Sequence, residues 1–420
     1  LPLLWRYAEN LLLARTTTGR RAKPILPSLY LTTRCNYRCV YCDDGTGASY
    51  PQLPEPRVLD TAEVKRLLDI MRRVSPGMNI TGGEPLLRGD IEELCAYMCK
   101  LSYFPVVINT NGLLLDRHLP LLHHVDYLVV SVDTLDDERS RALSGAAVGQ
   151  SVGRVVENLA RVADYQQRTG IKLQVIINTV VLPETLEDAW DVWAYCREKD
   201  FFWSPMPHVR GPYPNPGLVG NPRWEHLVDE VLRAKRLGAR IFGSVAALRT
   251  IRGFSRYTCY PTTRPMIRPD GELYYPCGPL QTTAGNLLDV GDYNEAMAQG
   301  ERLHGPVPTC DARCHVGCFL EGSLAITDPS AAVWYDVPLL LGRVRRVTPR
   351  RPPPGPGCPT PGRDVLNRMP TLSPSRVRTL REQGQLENDF TSSVRLASGA
   401  RPGRSAEPVL SRSGDRAAAE

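Results

Sequence analysis

The chain has 420 residues, 42% of them hydrophobic, and a formal net charge of +6. That length calls for two domains and an appendage, and that apolar share supports a sizeable core. With no apolar run of the ~18–20 residues a membrane span needs and no secretory signal, twelve cysteines favour a reducing, cytoplasmic compartment and metal ligation over disulfides.

The chain opens on Leu1-Pro-Leu-Leu-Trp-Arg-Tyr-Ala-Glu-Asn-Leu-Leu-Leu-Ala14, where Arg6 and Glu9 interrupt an apolar run. Residues 1–25 therefore read as an amphipathic helix that packs on a domain or meets a membrane surface. From 28 to about 205, short apolar runs alternate with longer amphipathic ones. Strands are expected at 28–33, 78–81, 105–109, 126–132, 173–181 and 201–206. Helices are expected at 60–74, 90–101, 114–123, 150–169 and 185–198. In 150–169, Val152, Val155, Val156, Leu159, Val162 and Ala163 form one apolar face. Such alternation builds an α/β fold with a parallel sheet and right-handed crossovers. Residues 206–221 are rich in Pro and Gly and read as a loop or lid, with a helix at 222–236 behind them.

Directly after Leu29-Tyr-Leu-Thr32, the stretch Thr33-Arg-Cys-Asn-Tyr-Arg-Cys-Val-Tyr-Cys42 spaces Cys35, Cys39 and Cys42 as C-x3-C-x2-C. Three thiolates on one tight loop can hold three irons of a cubane and leave the fourth iron open. A structural zinc loop is the alternative. It wants four ligands, yet the next cysteine is Cys95 and no His precedes it. Further on, Met78-Asn-Ile-Thr-Gly-Gly-Glu-Pro85 pairs two glycines, which let a backbone approach a ligand, with a carboxylate suited to an ammonium group. Three more apolar runs end on polar residues: Val106–Gly112, Tyr127–Asp133 and Val175–Val181. Taken singly, their Asn, Ser and Asp are turn formers.

Together these motifs resemble the radical S-adenosylmethionine (radical SAM) enzymes. The resemblance implies a partial (β/α)6 barrel over 26–221, with active residues at the C-terminal strand ends. It implies a [4Fe–4S] cluster with an open iron on Cys35, Cys39 and Cys42, and SAM as the second cofactor. Gly82, Gly83 and Glu84 would meet the SAM amino group. Asn111, at the T-N-G strand end, would also contact the cofactor, Ser131 and Asp133 would meet the ribose, and Asn178 would lie near the adenine. A one-electron reductant such as flavodoxin or ferredoxin is implied as partner. The expected chemistry is reductive cleavage of SAM to a 5′-deoxyadenosyl radical that abstracts hydrogen from substrate, while the protein positions the reactants and excludes water. The other cysteines of the body, Cys95, Cys99 and Cys196, read as buried thiols on helices.

A second cysteine group follows. Cys259 and Cys277 flank Arg264-Pro-Met-Ile-Arg-Pro-Asp-Gly-Glu-Leu-Tyr-Tyr-Pro276, where Pro-Asp-Gly signals a hairpin, and Cys310, Cys314 and Cys318 come after Gly285-Asn-Leu-Leu-Asp289. This resembles the SPASM and twitch extensions of radical SAM proteins. Residues 222–342 are thus expected to carry one auxiliary [4Fe–4S] cluster, with four ligands from these five cysteines. Zinc, with His315 joining, is the alternative. Such extensions often accompany modification of ribosomal peptides, so the expected substrate is a peptide side chain. A small metabolite or lipid precursor is the second reading, and a non-catalytic iron–sulfur electron carrier the third. No catalytic residue is assigned; Tyr213, Tyr257 and Tyr260 are possible hydrogen donors.

Residues 343–420 hold fifteen Arg, no Lys and seven acidic residues, a surplus of eight positive charges that leaves the rest near −2. The body is therefore not expected to bind nucleic acid specifically. The Arg- and Pro-rich tail is expected to be disordered, with Cys358 a doubtful ligand.

Overall fold

The computed structural model describes residues 2–16, 22–43, 57–307, 310, 314–328 and 350–351. Apart from Arg350 and Arg351, the expectations for the tail, Cys358 included, lie outside the described residues.

In chain order the elements are α1 (Pro2–Thr16), β1 (Ser28–Tyr30), α2 (Thr61–Arg72), β2 (Met78–Thr81), α3 (Ile91–Lys100), β3 (Val106–Thr110), β4 (Tyr127–Ser131), α4 (Asp137–Ser144), α5 (Val152–Thr169), β5 (Gln174–Val181), α6 (Leu186–Lys199) and β6 (Phe202–Pro207). The hairpin β7 (Val209–Arg210) and β8 (Tyr213–Pro214) follows, then α7 (Pro222–Arg236), α8 (Val245–Gly253), β9 (Met266–Ile267), β10 (Glu272–Tyr274), β11 (Thr283–Asn286), α9 (Leu287–Val290), α10 (Tyr293–His304) and α11 (Gly317–Thr327).

Strands β1 to β6 pair in sequence order, all parallel, which is the expected α/β architecture. Alternation sets the two faces. On β4, Leu128 and Val130 are buried beneath the helices, while Tyr127 and Val129 face the concave interior. Local signals agree with this arrangement. Helix α2 opens with a capping box, in which Asp60 Oδ1 accepts from the Glu63 amide (2.8 Å) and Glu63 Oε2 accepts from the Asp60 amide (3.0 Å). Helix α5 buries Val152, Val155, Leu159 and Val162, although Val156 is only half-buried and Ala163 is exposed. Helix α1 packs on the domain, with Leu3, Tyr7 and Ala14 against a small cluster that includes Ile25, Tyr260 and Ile326.

The structure departs from the sequence reading at several places. The helix expected at 114–123 is instead two 3₁₀ turns, Leu115–Arg117 and Leu119–His124. Pro120 lacks an amide donor and disfavours helix in the residue before it. The Pro-rich loop carries the β7–β8 hairpin. The sheet does not stop at six strands: β9 pairs in parallel with β1, and β10 and β11 continue antiparallel, giving nine strands in the order β11-β10-β9-β1-β2-β3-β4-β5-β6. The cysteine-bearing C-terminal segment is thus hydrogen-bonded to the strand that launches the first cysteine loop.

Candidate active site

Cys35, Cys39 and Cys42 lie on the loop that leaves the C-terminal end of β1, and the Gly82–Glu84 turn clamps that loop. The Gly83 amide donates to Thr32 O (2.7 Å) and the Glu84 amide to Arg34 O (2.8 Å). A Cβ on Gly83 would lie 2.0 Å from Arg34 O, and one on Gly82, at φ +134°, 2.6 Å from Thr32 O. The paired glycines therefore let two backbones approach closely. On the other side, the Arg38 and Val40 amides donate to Ser144 O (2.7 Å) and Leu143 O (2.9 Å) at the end of α4.

Glu84 is fully buried, and three donors of the protein itself occupy its carboxylate: the Leu86 amide (2.9 Å), Thr110 Oγ1 (2.8 Å) and the Asn111 amide (2.8 Å). Burial raises it to about 7 against these three stabilising bonds. Its observed place is a brace between the ends of β2 and β3, where the resemblance implied a contact to an amino group. Asn111 Nδ2 donates to Asn36 Oδ1 (2.6 Å), and Asn158 Nδ2 holds the turn below through Gly112 O (3.0 Å) and Leu113 O (2.9 Å). Asp133 is likewise engaged. Its Oδ1 accepts from the Val180 amide (2.8 Å), its Oδ2 accepts from the Tyr41 hydroxyl, and burial raises it to about 6.

Ser131, Asn178 and Ser204 stand in register across β4, β5 and β6. Asn178 and Ser204 line a cavity of 1930 Å³ that runs along the concave face of the sheet, while Ser131 is exposed and is not among its lining residues. Tyr41, Cys42 and Asp43 line the same cavity, as do Arg264, Cys318, and Leu3 and Leu11 of α1. Tyr213, Tyr257 and Tyr260 are not among the residues lining it.

Cys259, Cys277, Cys310, Cys314 and Cys318 converge. Cys259 and Cys310 form an antiparallel bridge, with the Cys259 amide donating to Cys310 O (2.6 Å). Burial, then the neighbouring cysteines, pushes Cys259 well up; burial chiefly pushes Cys314 up to about 12. In the first loop, burial and then Cys42, Asp133 and Cys35 push Cys39 well up. Crowded buried thiols of this kind ionise when a metal centre takes them as ligands. Among the described residues, no group of three or more His, Cys, Asp or Glu side chains is placed to hold a single metal ion. His315 packs edge-on against Phe254 and Tyr257 (5.4 and 6.2 Å between centroids). Of the three thiols expected to be buried on helices, Cys95 and Cys196 are, but Cys99 is exposed, its Sγ 3.4 Å from His124 O.

Residues 29–196 match the model of the radical SAM superfamily. This stretch is a radical SAM domain. Such domains use a [4Fe–4S] cluster and SAM, and the three-cysteine loop lies within the matched stretch. By fold, the chain is similar to SuiB of Streptococcus suis bound to S-adenosylmethionine (18% identity, 72% of each chain, TM-score 0.52) and to SuiB bound to its precursor peptide SuiA (16%, 68% of this chain and 69% of that one, TM-score 0.52). At such identity the likeness is one of fold alone. By sequence, it is similar to a GTP 3′,8-cyclase of Corynebacterium glutamicum strain R (35% identity, 43% of this chain, 48% of that one) and a probable GTP 3′,8-cyclase of Methanothermobacter thermautotrophicus (30%, 43% and 56%). The mitochondrial GTP 3′,8-cyclase of Arabidopsis thaliana matches at 41% over 25% of this chain and 27% of that one. The matched stretches span between a quarter and just over half the length of these curated relatives. These names overturn the expected peptide substrate: the sequence relatives of this radical SAM domain act on GTP, a small metabolite. Cysteines in an extension do not define a substrate class, because the same thiols can serve either chemistry.

Sequence reasoning misses the hydroxyl role of Tyr41, the buried His208 at the end of β6 and Arg264. Along the chain, Tyr41 is only an aromatic beside Cys42. Arg264 sits in the segment that signals the hairpin, where an Arg reads as solvated surface. Only the pairing of β9 with β1 turns it to the cavity.

Proposed function

We propose that this chain is a radical SAM enzyme acting on a small anionic metabolite of the nucleotide class, with GTP the first compound to test. The observation that carries the anionic substrate is Arg264. Its guanidinium lines the cavity close to Cys318, and among the described residues it makes no hydrogen bond or ion pair. Glu321 is near enough to feel its charge but spends both carboxylate oxygens on the Ser244 amide (3.2 Å each). The other two arginines of the cavity are committed, Arg240 to Asp200 (2.9 Å) and Arg268 to Asp270 (3.2 Å). A guanidinium with no carboxylate in hydrogen-bond contact, beside an apolar wall, suits the planar recognition of phosphate. The names of the sequence relatives support the nucleotide class.

In this reading Cys35, Cys39 and Cys42 hold the SAM-cleaving cluster, and four of Cys259, Cys277, Cys310, Cys314 and Cys318 hold an auxiliary one. When bound, the first cluster and SAM supply one-electron cleavage and hydrogen abstraction from an unactivated C–H bond, fed by a reductant of the flavodoxin or ferredoxin kind. The Gly82–Gly83 backbone, Ser131 and Asn178 contact SAM. Glu84, Asn111 and Asp133 act behind them, holding the cysteine loop and strand ends in place. The cavity walls exclude water, and Arg264 fixes the anionic end of the substrate.

The test is anaerobic reconstitution with dithionite and SAM, with and without GTP. Replacing Cys35, Cys39 and Cys42 by Ala should abolish 5′-deoxyadenosine. Replacing Cys259 and Cys277 should leave abortive cleavage and stop GTP conversion. Cleavage surviving the first triple change would sink the cluster assignment, and wild-type protein that neither binds nor converts GTP would sink the nucleotide reading.

A further inference from the structure

His208 follows β6 directly and is 6% exposed, yet its ring lines the same cavity as Cys42 and Arg264. Its position is built rather than incidental. The Asn215 amide donates to His208 O (3.0 Å) and the His208 amide to Val181 O (2.9 Å), so the β7–β8 hairpin closes beneath the ring. The hairpin is tied to the cysteine loop, because the Gly211 amide donates to Asp43 Oδ2 (2.9 Å). The Tyr41 ring stands edge-on to the imidazole, 6.2 Å between centroids.

The hydrogen bonds of Asn215 decide where the imidazole proton sits. Asn215 Oδ1 accepts from the Gly217 amide (2.9 Å), which assigns Nδ2 as the end facing His208. Asn215 Nδ2 lies 2.8 Å from His208 Nδ1. An amide nitrogen only donates, so Nδ1 must accept and the proton of a neutral ring must be on Nε2. Among the described residues no acceptor meets Nε2. Burial, with Arg210 adding to it, holds the ring down to about 4, so it stays neutral near pH 7.

We propose that His208 is a substrate-binding residue whose Nε2–H, fixed by Asn215, donates to a carbonyl or phosphate oxygen of the substrate in the cavity. This rests on the reading of the cavity as a nucleotide site, and it names a neutral donor there to complement the cationic Arg264. Asn215 is a positioning residue: it sets the tautomer without touching substrate.

The experiment measures GTP binding to the reconstituted full chain with SAM present, by equilibrium dialysis. Wild type is compared with His208→Gln, His208→Phe and Asn215→Asp, with iron content and thermal midpoint recorded for each. His208→Gln keeps an N–H near the Nε2 position and should stay within about threefold of wild type. His208→Phe should bind roughly 3–10-fold more weakly, the worth of one neutral hydrogen bond. Asn215→Asp offers an acceptor to Nδ1 and, with all proteins compared at about pH 8.5 so that the ring carries a single proton, draws that proton to Nδ1 and should lose as much as His208→Phe. Equal losses in His208→Gln and His208→Phe, or wild-type affinity in Asn215→Asp, overturn the proposal while leaving the nucleotide reading intact. Absence of GTP binding by wild type itself overturns both.

Discussion

The hydroxyl of Tyr41 donates to the carboxylate of Asp133, so the residue beside the last cysteine of the loop is hooked to the end of β4. Asp133 also accepts from the Val180 amide of β5. One half-buried carboxylate therefore ties the three-cysteine loop to two strands, and Tyr41→Phe should cut that tie. Leaving a buried carboxylate short of a donor costs about 1–3 kcal/mol. The expected result is a lower thermal midpoint and faster loss of iron to a chelator, with an unchanged fold by circular dichroism. Wild-type iron retention would show that the loop is held by its backbone bonds alone.

The Gly83 contact predicts a sharper loss. Gly83→Ala drives a Cβ into Arg34 O, a backbone atom that cannot swing aside. A destabilisation of roughly 2–4 kcal/mol is expected, together with poor iron incorporation. Gly89→Ala is the control, since nothing lies within 4 Å of its Cβ position, and it should behave as wild type in the same melting and iron assays.

The pH dependence follows from Glu84. Its carboxyl is raised to about 7 in the folded chain, against ~4.3 when unfolded. The folded state therefore retains a proton that the unfolded state has released, and the contribution of Glu84 falls as pH rises from about 4.5 to 7, then levels. Glu84→Gln does not titrate. Urea midpoints of both proteins, in the same cluster-loaded state, should show the advantage of wild type shrinking from pH 5 to 7. An advantage that grows with pH would refute the assignment.

Arg264→Met keeps most of the side-chain stem and removes the charge. If the guanidinium receives a phosphate, GTP affinity should drop roughly 10–100-fold, the range of a charge-assisted hydrogen bond, and pyrophosphate should compete with GTP in wild type much better than in the variant. Equal competition in both would move the anion site elsewhere in the cavity.

How much of this is legible in the sequence varies element by element. Strands β2, β4 and β5 fall within a residue or so of their expected spans because apolar positions with period-two faces leave little choice. Helix α4 escapes a sequence reading because Asp-Glu-Arg-Ser-Arg-Ala-Leu-Ser is short and mostly polar; its start depends on Asp136, whose Oδ1 caps the Arg139 amide (2.7 Å). The spacing of the three cysteines on one loop after β1 is readable from the sequence alone. The engaged states of Glu84 and Asp133 are not readable, because their donors come from Thr110, Tyr41 and Val180, which are far away in the sequence.

Local order is written in the chain itself: the alternation of strands and helices, the capping box at Asp60 and the cysteine spacing all act over a few residues, where covalent geometry and side-chain chemistry are sufficient. Tertiary contact alone decided that β9 lies beside β1, that Arg264 and Cys318 face the cavity that Cys42 lines, and that Asn215 dictates the proton on His208. Those relations are set by sheet closure and by burial, which pair groups according to the folded surface and not their separation along the backbone.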